Sequence, residues 1–295
     1  MYLFLTEYVW RYIVKVQEGL TLTADRERGE RMLRTIRKEF KIAGLSIKYA
    51  IMREMLNKVT FFSNIIFMIL NNAFFIIQWL ILYSLRENVG GYTFNQVLML
   101  WGIASGTFGF ANFFFKKAYY LSDTITNGKL DAYLVQPKNV LISCITSDVS
   151  PSALGDLTYG YIVLFLSGIT ISKFVLYTFF VISGGIIMVD IAIILGSLSF
   201  YISKSDMIAE TGNNFMIYFA TYPDGIFKGF VKMILFTVIP IGITTYIPVW
   251  ILTKFNIFYF IGIIIFTICI TILAFVVFYK GLKRYSSSNL MVAKI

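Results

Sequence analysis

The chain has 295 residues, of which 58% are apolar or aromatic and only 14% charged, with a mean hydropathy of +0.74 and a formal charge of +10. A soluble domain is nearer half apolar and a quarter charged, so a cytosolic enzyme, a disordered chain and a disulfide-stapled secreted domain are excluded, and lipid is the solvent for most of the chain. The absence of His and the presence of only two cysteines, Cys144 and Cys269, exclude imidazole chemistry and a Cys-rich zinc site; the basic excess fits loops facing anionic lipid better than nucleic acid.

Residues 1–58 hold 12 of the 26 basic and 7 of the 16 acidic residues. The opening Met1 to Trp10 is apolar, but Glu7, Arg11 and Lys15 break the pattern, unlike the core of a signal peptide. Asp25 to Lys41 reads as a charged, solvated helix. Ala43 to Lys58 mixes apolar residues with Lys48, Arg53 and Lys58, as in an amphipathic helix on a membrane surface.

Phe61 to Leu85 is the first predicted span, and Val97 to Phe115 the second. The second carries Gly102, Ser105, Gly106 and Gly109, a face on which another helix can approach closely. A polar loop follows at 118–150. Leu154 to Ile171 is the third span, Ser172-Lys173 a tight turn, Phe174 to Ile202 the fourth, and Ile257 to Tyr279 the last. Residues 203–254 allow two readings. Either Val231 to Thr253 crosses despite Pro240 and Pro248, or Asp206 to Tyr222 crosses and 224–253 dips into the outer leaflet as two short helices. Both give six crossings with the termini on one side. Lys and Arg divide 23 against 3 on the first reading and 21 against 5 on the second, which predicts cytoplasmic termini. The expected fold is an all-α integral membrane protein of six transmembrane helices.

No phosphate-cradling loop is present: Gly128-Lys129 lacks an upstream glycine, and Leu130 stands where Ser or Thr is needed. ATP hydrolysis by this chain is therefore not expected. In the 118–150 loop, Leu121 and Ile125 recur at helical spacing, Asn127-Gly128 suits a helix end, and Leu130, Tyr133 and Leu134 repeat before Pro137. A short amphipathic helix so bracketed suits docking on a soluble partner or resting on lipid headgroups. Asp190 lies deep in an apolar run, where it is either a substrate or proton contact or an interhelical hydrogen bond. Asp156, nearer the inner end of its span, is expected to meet water.

The segment Gly128-Lys-Leu130-Asp131-Ala-Tyr-Leu134-Val-Gln-Pro137 resembles the G-x-L-D-x-x-L-x-x-P element of ABC-2 type permeases, in the branch of uncharacterised transport-system permease components. Leu198 to Tyr201, Tyr222-Pro223 to Phe227, Phe236 to Pro240, Tyr246 to Pro248 and Gly281 to Ser287 are similar to further elements of that family, in order. The resemblance implies a permease subunit of an ATP-driven exporter. It would pair with a second permease, identical or sibling, and with separate ATPase subunits that carry ATP and Mg. No cofactor is expected on this chain. Gly128, Leu130, Asp131, Leu134 and Pro137 would form the coupling helix at the ATPase contact, Asp131 either pairing there or only starting the helix. The same resemblance favours the re-entrant reading of 224–253, with Tyr222, Pro223, Pro240 and Pro248 as structural positions. It divides the chain into N-terminal cytoplasmic and membrane-surface helices (1–58), an ABC-2 type transmembrane domain (59–285) and a cytoplasmic tail (286–295), in a bacterial inner membrane. An ion- or proton-coupled carrier using Asp190, or a non-transporting scaffold, are the alternatives.

Overall fold

A computed structural model describes residues 34–286 other than 36, 169, 203, 204 and 238. The expectations for residues 1–33 and for the tail from 287 lie outside the described residues. The chain divides into two compact units at residue 45. In the first, residues 37–45 are helical. The second begins with helical residues 46–54 and continues as a bundle whose described residues form helices and one isolated bridge, Val89 with Tyr92.

Among the described residues, four helices are long and apolar enough to cross a membrane. They are α1 (Lys58–Leu85), α2 (Phe94–Tyr119, which runs on into α3, Leu121–Thr126), α7 (Ile171–Ser197) and α11 (Ile257–Leu282). Asn57 caps α1 through Thr60 N–H, Thr93 and Gln96 form a capping box on α2, and Asn256 caps α11. The most apolar windows of α2 and α7 are 78% and 67% buried, those of α1 and α11 only 11% each. The first pair is thus the interior of the bundle, and the second pair presents its Phe, Ile and Leu side chains to lipid.

The described residues hold four such helices, or up to five, and not the expected six spans. The expected third span is a 16-residue helix, α6 (Pro151–Leu166), about 24 Å long at 1.5 Å per residue and so short of the hydrocarbon thickness of about 30 Å. It stops because Ser167 ends it and Gly168 takes a positive φ of 77°, so the turn lies here and not at Ser172-Lys173. The expected fifth span is α8 (Asp206–Ala220), 15 residues long with Asp206, Glu210, Asn213 and Asn214 on its polar side. The other candidate, 231–253, is broken into α9 (Gly229–Thr237), a π turn (Gly242–Tyr246) and α10 (Ile247–Thr253), bent by 76°. Counted as one broken element, that pair gives at most five. Buried Pro240 sits in the break, and Pro248 follows the π turn in the first turn of α10, where its missing N–H interrupts no regular ladder. Pro223 is buried before a 3-10 turn (Asp224–Ile226), and Tyr222 is exposed with its ring edge against Trp79.

The small-residue face of α2 packs on α6. A Cβ on Gly109 would stand 2.7 Å from Ala153 O, and one on Gly160 2.7 Å from Gly102 O, so the two backbones touch. Tyr177 of α7 donates to Gly102 O at 2.6 Å and closes the third side. One apolar cluster surrounds Leu100, Ile103, Tyr177 and Tyr246; a second gathers Leu121, Leu130, Leu141, Met188, Ile193 and Phe278 at the loop end.

Candidate functional site

The loop after α2 is a folded foot. α3 ends at Asn127, and Gly128 takes φ 68°, a left-handed turn that glycine enters without a Cβ clash. A four-residue helix, α4 (Asp131–Leu134), follows, then α5 (Val140–Ile145), capped by the Asn139 side chain on Ile142 N–H. The predicted helical positions therefore exist, but they divide between two faces. Leu121, Leu130 and Leu141 are fully buried with Ile125 in the cluster shared with α7 and α11. Leu134, Val135 and Pro137 are exposed, Val135 by 84%. Gly128 and Asp131 are half-buried. Leu130 is thus an anchor of the foot, while Val135, absent from the predicted set, stands at its tip. Its signal was available: a lone β-branched apolar residue between Leu134 and Pro137.

The foot is tied to the bundle at several points. A Cβ on Gly196 of α7 would lie 2.8 Å from Leu121 Cβ, so these helices meet without a spacer. Ser122, Ser199 and Ser205 hydroxyls form a chain at 2.6 Å each. Tyr133 and Ser147 hydroxyls are 2.9 Å apart. Asp148 pairs with Arg53 at 2.7 Å and Lys116 at 3.3 Å, and Ser46 donates to Thr146 O at 2.9 Å, joining residues 46–54 and the end of α2 to the loop. Asp131 stands in the first turn of α4, whose N-cap residue Leu130 makes no side-chain capping hydrogen bond, and Tyr285, beyond the end of α11, has its phenol pushed above the usual range by burial and by the neighbouring Asp131 carboxylate. Burial likewise raises Tyr133 and pushes the Cys144 thiol up to about 12.

Among the described residues, Asp190 and Asp156 are carboxylates buried within helices of the bundle. Asp190 of α7 is 3% exposed, and its Oδ2 accepts from Thr271 of α11 at 2.6 Å. This is an interhelical hydrogen bond between the interior and a lipid-facing helix. Asp156 of α6 does not meet water as expected: it is 5% exposed, and Asn72 Nδ2 donates to its Oδ1 at 2.6 Å. It was misplaced because its burial depends on Asn72, 84 positions away. Ser105 Oγ donates to the Asp156 backbone carbonyl at 2.7 Å, which fixes α2 against the same turn of α6. No group of three or more metal-ligating side chains occurs among the described residues.

Apolar helices of span length, a foot buried on one side and bare on the other, and buried polar contacts between helices make this a membrane protein built around an interior helix pair. A family model described as ABC-2 family transporter protein matches residues 44–289, which contain the foot and every motif noted above. No curated protein and no solved structure matches the chain. Members of that family are transport subunits without catalysis of their own. The chain belongs to the ABC-2 family of membrane transporter proteins and is a membrane permease domain of that type.

Proposed function

We propose that this chain is the permease subunit of an ATP-driven exporter, seated on a separate ATPase through the tip of its foot. The observation that carries the reading is the two-sidedness of residues 121–141: Leu134, Val135 and Pro137 face outward on a loop whose Leu121, Leu130 and Leu141 are locked to α7 and α11. A partner that presses on the tip therefore moves the interior helices, because close-packed apolar side chains do not yield independently. ATP and Mg belong to that partner. In this reading Asp131 and Gly128 orient the tip and Leu130 anchors it, a revision of the uniform contact expected for Gly128, Leu130, Asp131, Leu134 and Pro137. A second permease, a copy or a sibling, completes the pathway.

The foot then lies on the cytoplasmic side of a bacterial inner membrane. The concentration of basic residues before α1 supports placing residues 1–58 on that side, as cytoplasmic and membrane-surface helices. The Asp190–Thr271 hydrogen bond favours packing over ion coupling, so no observation favours the carrier reading. Co-purification tests the proposal. The intact chain should bring down an ATP-binding subunit from membranes. Leu134→Asp with Val135→Asp should abolish this while leaving the permease folded. Undiminished recovery of the ATPase with that variant would overturn it, and so would substrate transport by the chain alone in ATP-free vesicles.

A further inference from the structure

A cavity opens between α1, α2, α6, α7, α8 and the π turn, bordered by Asn72, Trp101, Thr107, Asp156, Thr244 and Thr245. About 70 Å³ of it is open to water-sized molecules; roughly 10–15 Å³ of such space holds one water, so it has room for about five non-hydrogen atoms. Three of the lining residues each carry a buried polar atom with no hydrogen-bond partner among the described residues: Asp156 Oδ2, Trp101 Nε1 and Thr107 Oγ1. Their residues are 5%, 6% and 1% exposed. Such groups are strongly unfavourable when left unpaired in an apolar bundle. No Lys or Arg borders the space, so no side chain on its wall balances a charge on Asp156. The occupant must donate to the carboxylate and must also accept from the indole N–H.

We propose that this cavity binds a small primary ammonium group carrying a neighbouring oxygen acceptor, as in an amino alcohol, with Asp156 receiving the ammonium and Trp101 holding the oxygen. Asn72 is the positioning residue, because it occupies Oδ1 and leaves Oδ2 to the ligand. The inference deepens the transport reading by naming a chemical class of cargo, but binding itself needs no ATPase. The same chemistry arrives either as a free solute or on a lipid headgroup.

The test uses the full chain in nanodiscs of phosphatidylglycerol, with thermal unfolding and tryptophan fluorescence as readouts. Ethanolamine should raise the melting temperature saturably. Propylamine, which lacks the acceptor, should bind roughly three- to tenfold more weakly, and propanol should not bind. Asp156→Asn should lower affinity at least about tenfold, while Asp190→Asn should not change it. Should Asp156→Asn fail to fold, Trp101→Phe carries the test: it should reduce ethanolamine affinity to that of propylamine and leave propylamine unaffected. Stabilisation by phosphatidylethanolamine in the disc, without added solute, would identify the headgroup as the source; stabilisation by ethanolamine alone would identify a free solute. Equal responses to ethanolamine and propanol, an unchanged response in both Asp156→Asn and Trp101→Phe, or no response to either source overturns the proposal. Failure of the unaltered chain to bring down any ATP-binding subunit, with amine binding intact, would overturn the exporter reading alone.

Discussion

The Tyr92 hydroxyl donates to Asp224 Oδ1 at 2.6 Å, joining two loops 132 positions apart in the chain. The same hydroxyl oxygen accepts from Trp250 Nε1 at 3.0 Å, and Lys232 Nζ pairs with Asp224 Oδ2 at 2.6 Å. Tyr83 donates to Tyr92 O at 2.7 Å. One buried carboxylate thus gathers the loop before α2, the 3-10 turn, α9 and α10 at the end of α2 away from the foot. Tyr92→Phe removes a hydrogen bond to a charged group and leaves the Trp250 N–H unpaired. It should lower stability by about 1.5–3 kcal/mol. Lys232→Met should lower it by about 1 kcal/mol or less, because that side chain is 43% exposed and solvent screens the pair. Thermal unfolding in detergent micelles gives the order; equal losses would place the weight of the cluster on the ion pair instead.

The contact of α2 with α6 is backbone on backbone, so it tolerates no added carbon. Gly109→Ala places a methyl against Ala153 O, and Gly160→Ala places one against Gly102 O, neither of which is a flexible side-chain end. Each should destabilise by about 1–3 kcal/mol through overpacking. Gly262→Ala on lipid-facing α11 meets nothing within 4 Å and should be neutral or slightly stabilising, by up to about 1 kcal/mol from helix propensity. Melting temperatures of the three variants separate close approach from a mere preference for small residues.

Leu130 and Val135 lie five positions apart and differ in every physical respect. Leu130 is fully buried, so Leu130→Ala opens a cavity and should cost about 2–5 kcal/mol. Val135 is 84% exposed, so Val135→Ala should change stability by no more than about 0.5 kcal/mol. Binding of the ATPase should show the reverse ranking at a temperature where both variants are folded. Measuring both quantities on both variants is the check.

Hydropathy alone located α1, α2, α7 and α11, because each carries a span-length apolar run and few charges inside it. It failed where helix termination decides the outcome. Leu154 to Ile171 is apolar on average despite Asp156, yet Ser167-Gly168 stops the helix, and a sliding average is blind to one glycine at positive φ. In 203–254 the break at Pro240 was legible from residue type, as the reading of two short helices had it; what that reading missed is that α8, at 15 residues, falls short of span length. In the foot, the Gly128 turn and the break at Pro137 were legible from residue type. Which of Leu130 and Leu134 faces inward was not, because a helix of four residues has no period long enough to define a face. Asp156 shows the remaining limit: its neighbours in sequence place it near water, and only Asn72 and Ser105, brought in by tertiary packing, enclose it.

Cys144 offers a probe of the foot that needs no partner. It is fully buried among Leu130, Leu141 and Ile145, and burial pushes its thiol up to about 12 from an ordinary value of 9.0. Thiolate is the reactive form, so at pH 8 about one thiol in ten thousand is ionised, and the reagent must also reach it. In a Cys269→Ser background, a water-soluble maleimide should leave the native protein unlabelled and label it fully after denaturation. The sign of the pH effect follows from the raised value: the unfolded thiol ionises near 9 while the folded one keeps its proton, so the contribution to stability is complete below pH 9 and falls as pH rises from 9 to 12. Leu130→Ala loosens the cluster and should accelerate labelling at pH 8, whereas Val135→Ala, at the tip, should not. Equal acceleration by both variants would mean that the two faces of the foot open together, and that the anchor and the tip are not separate parts.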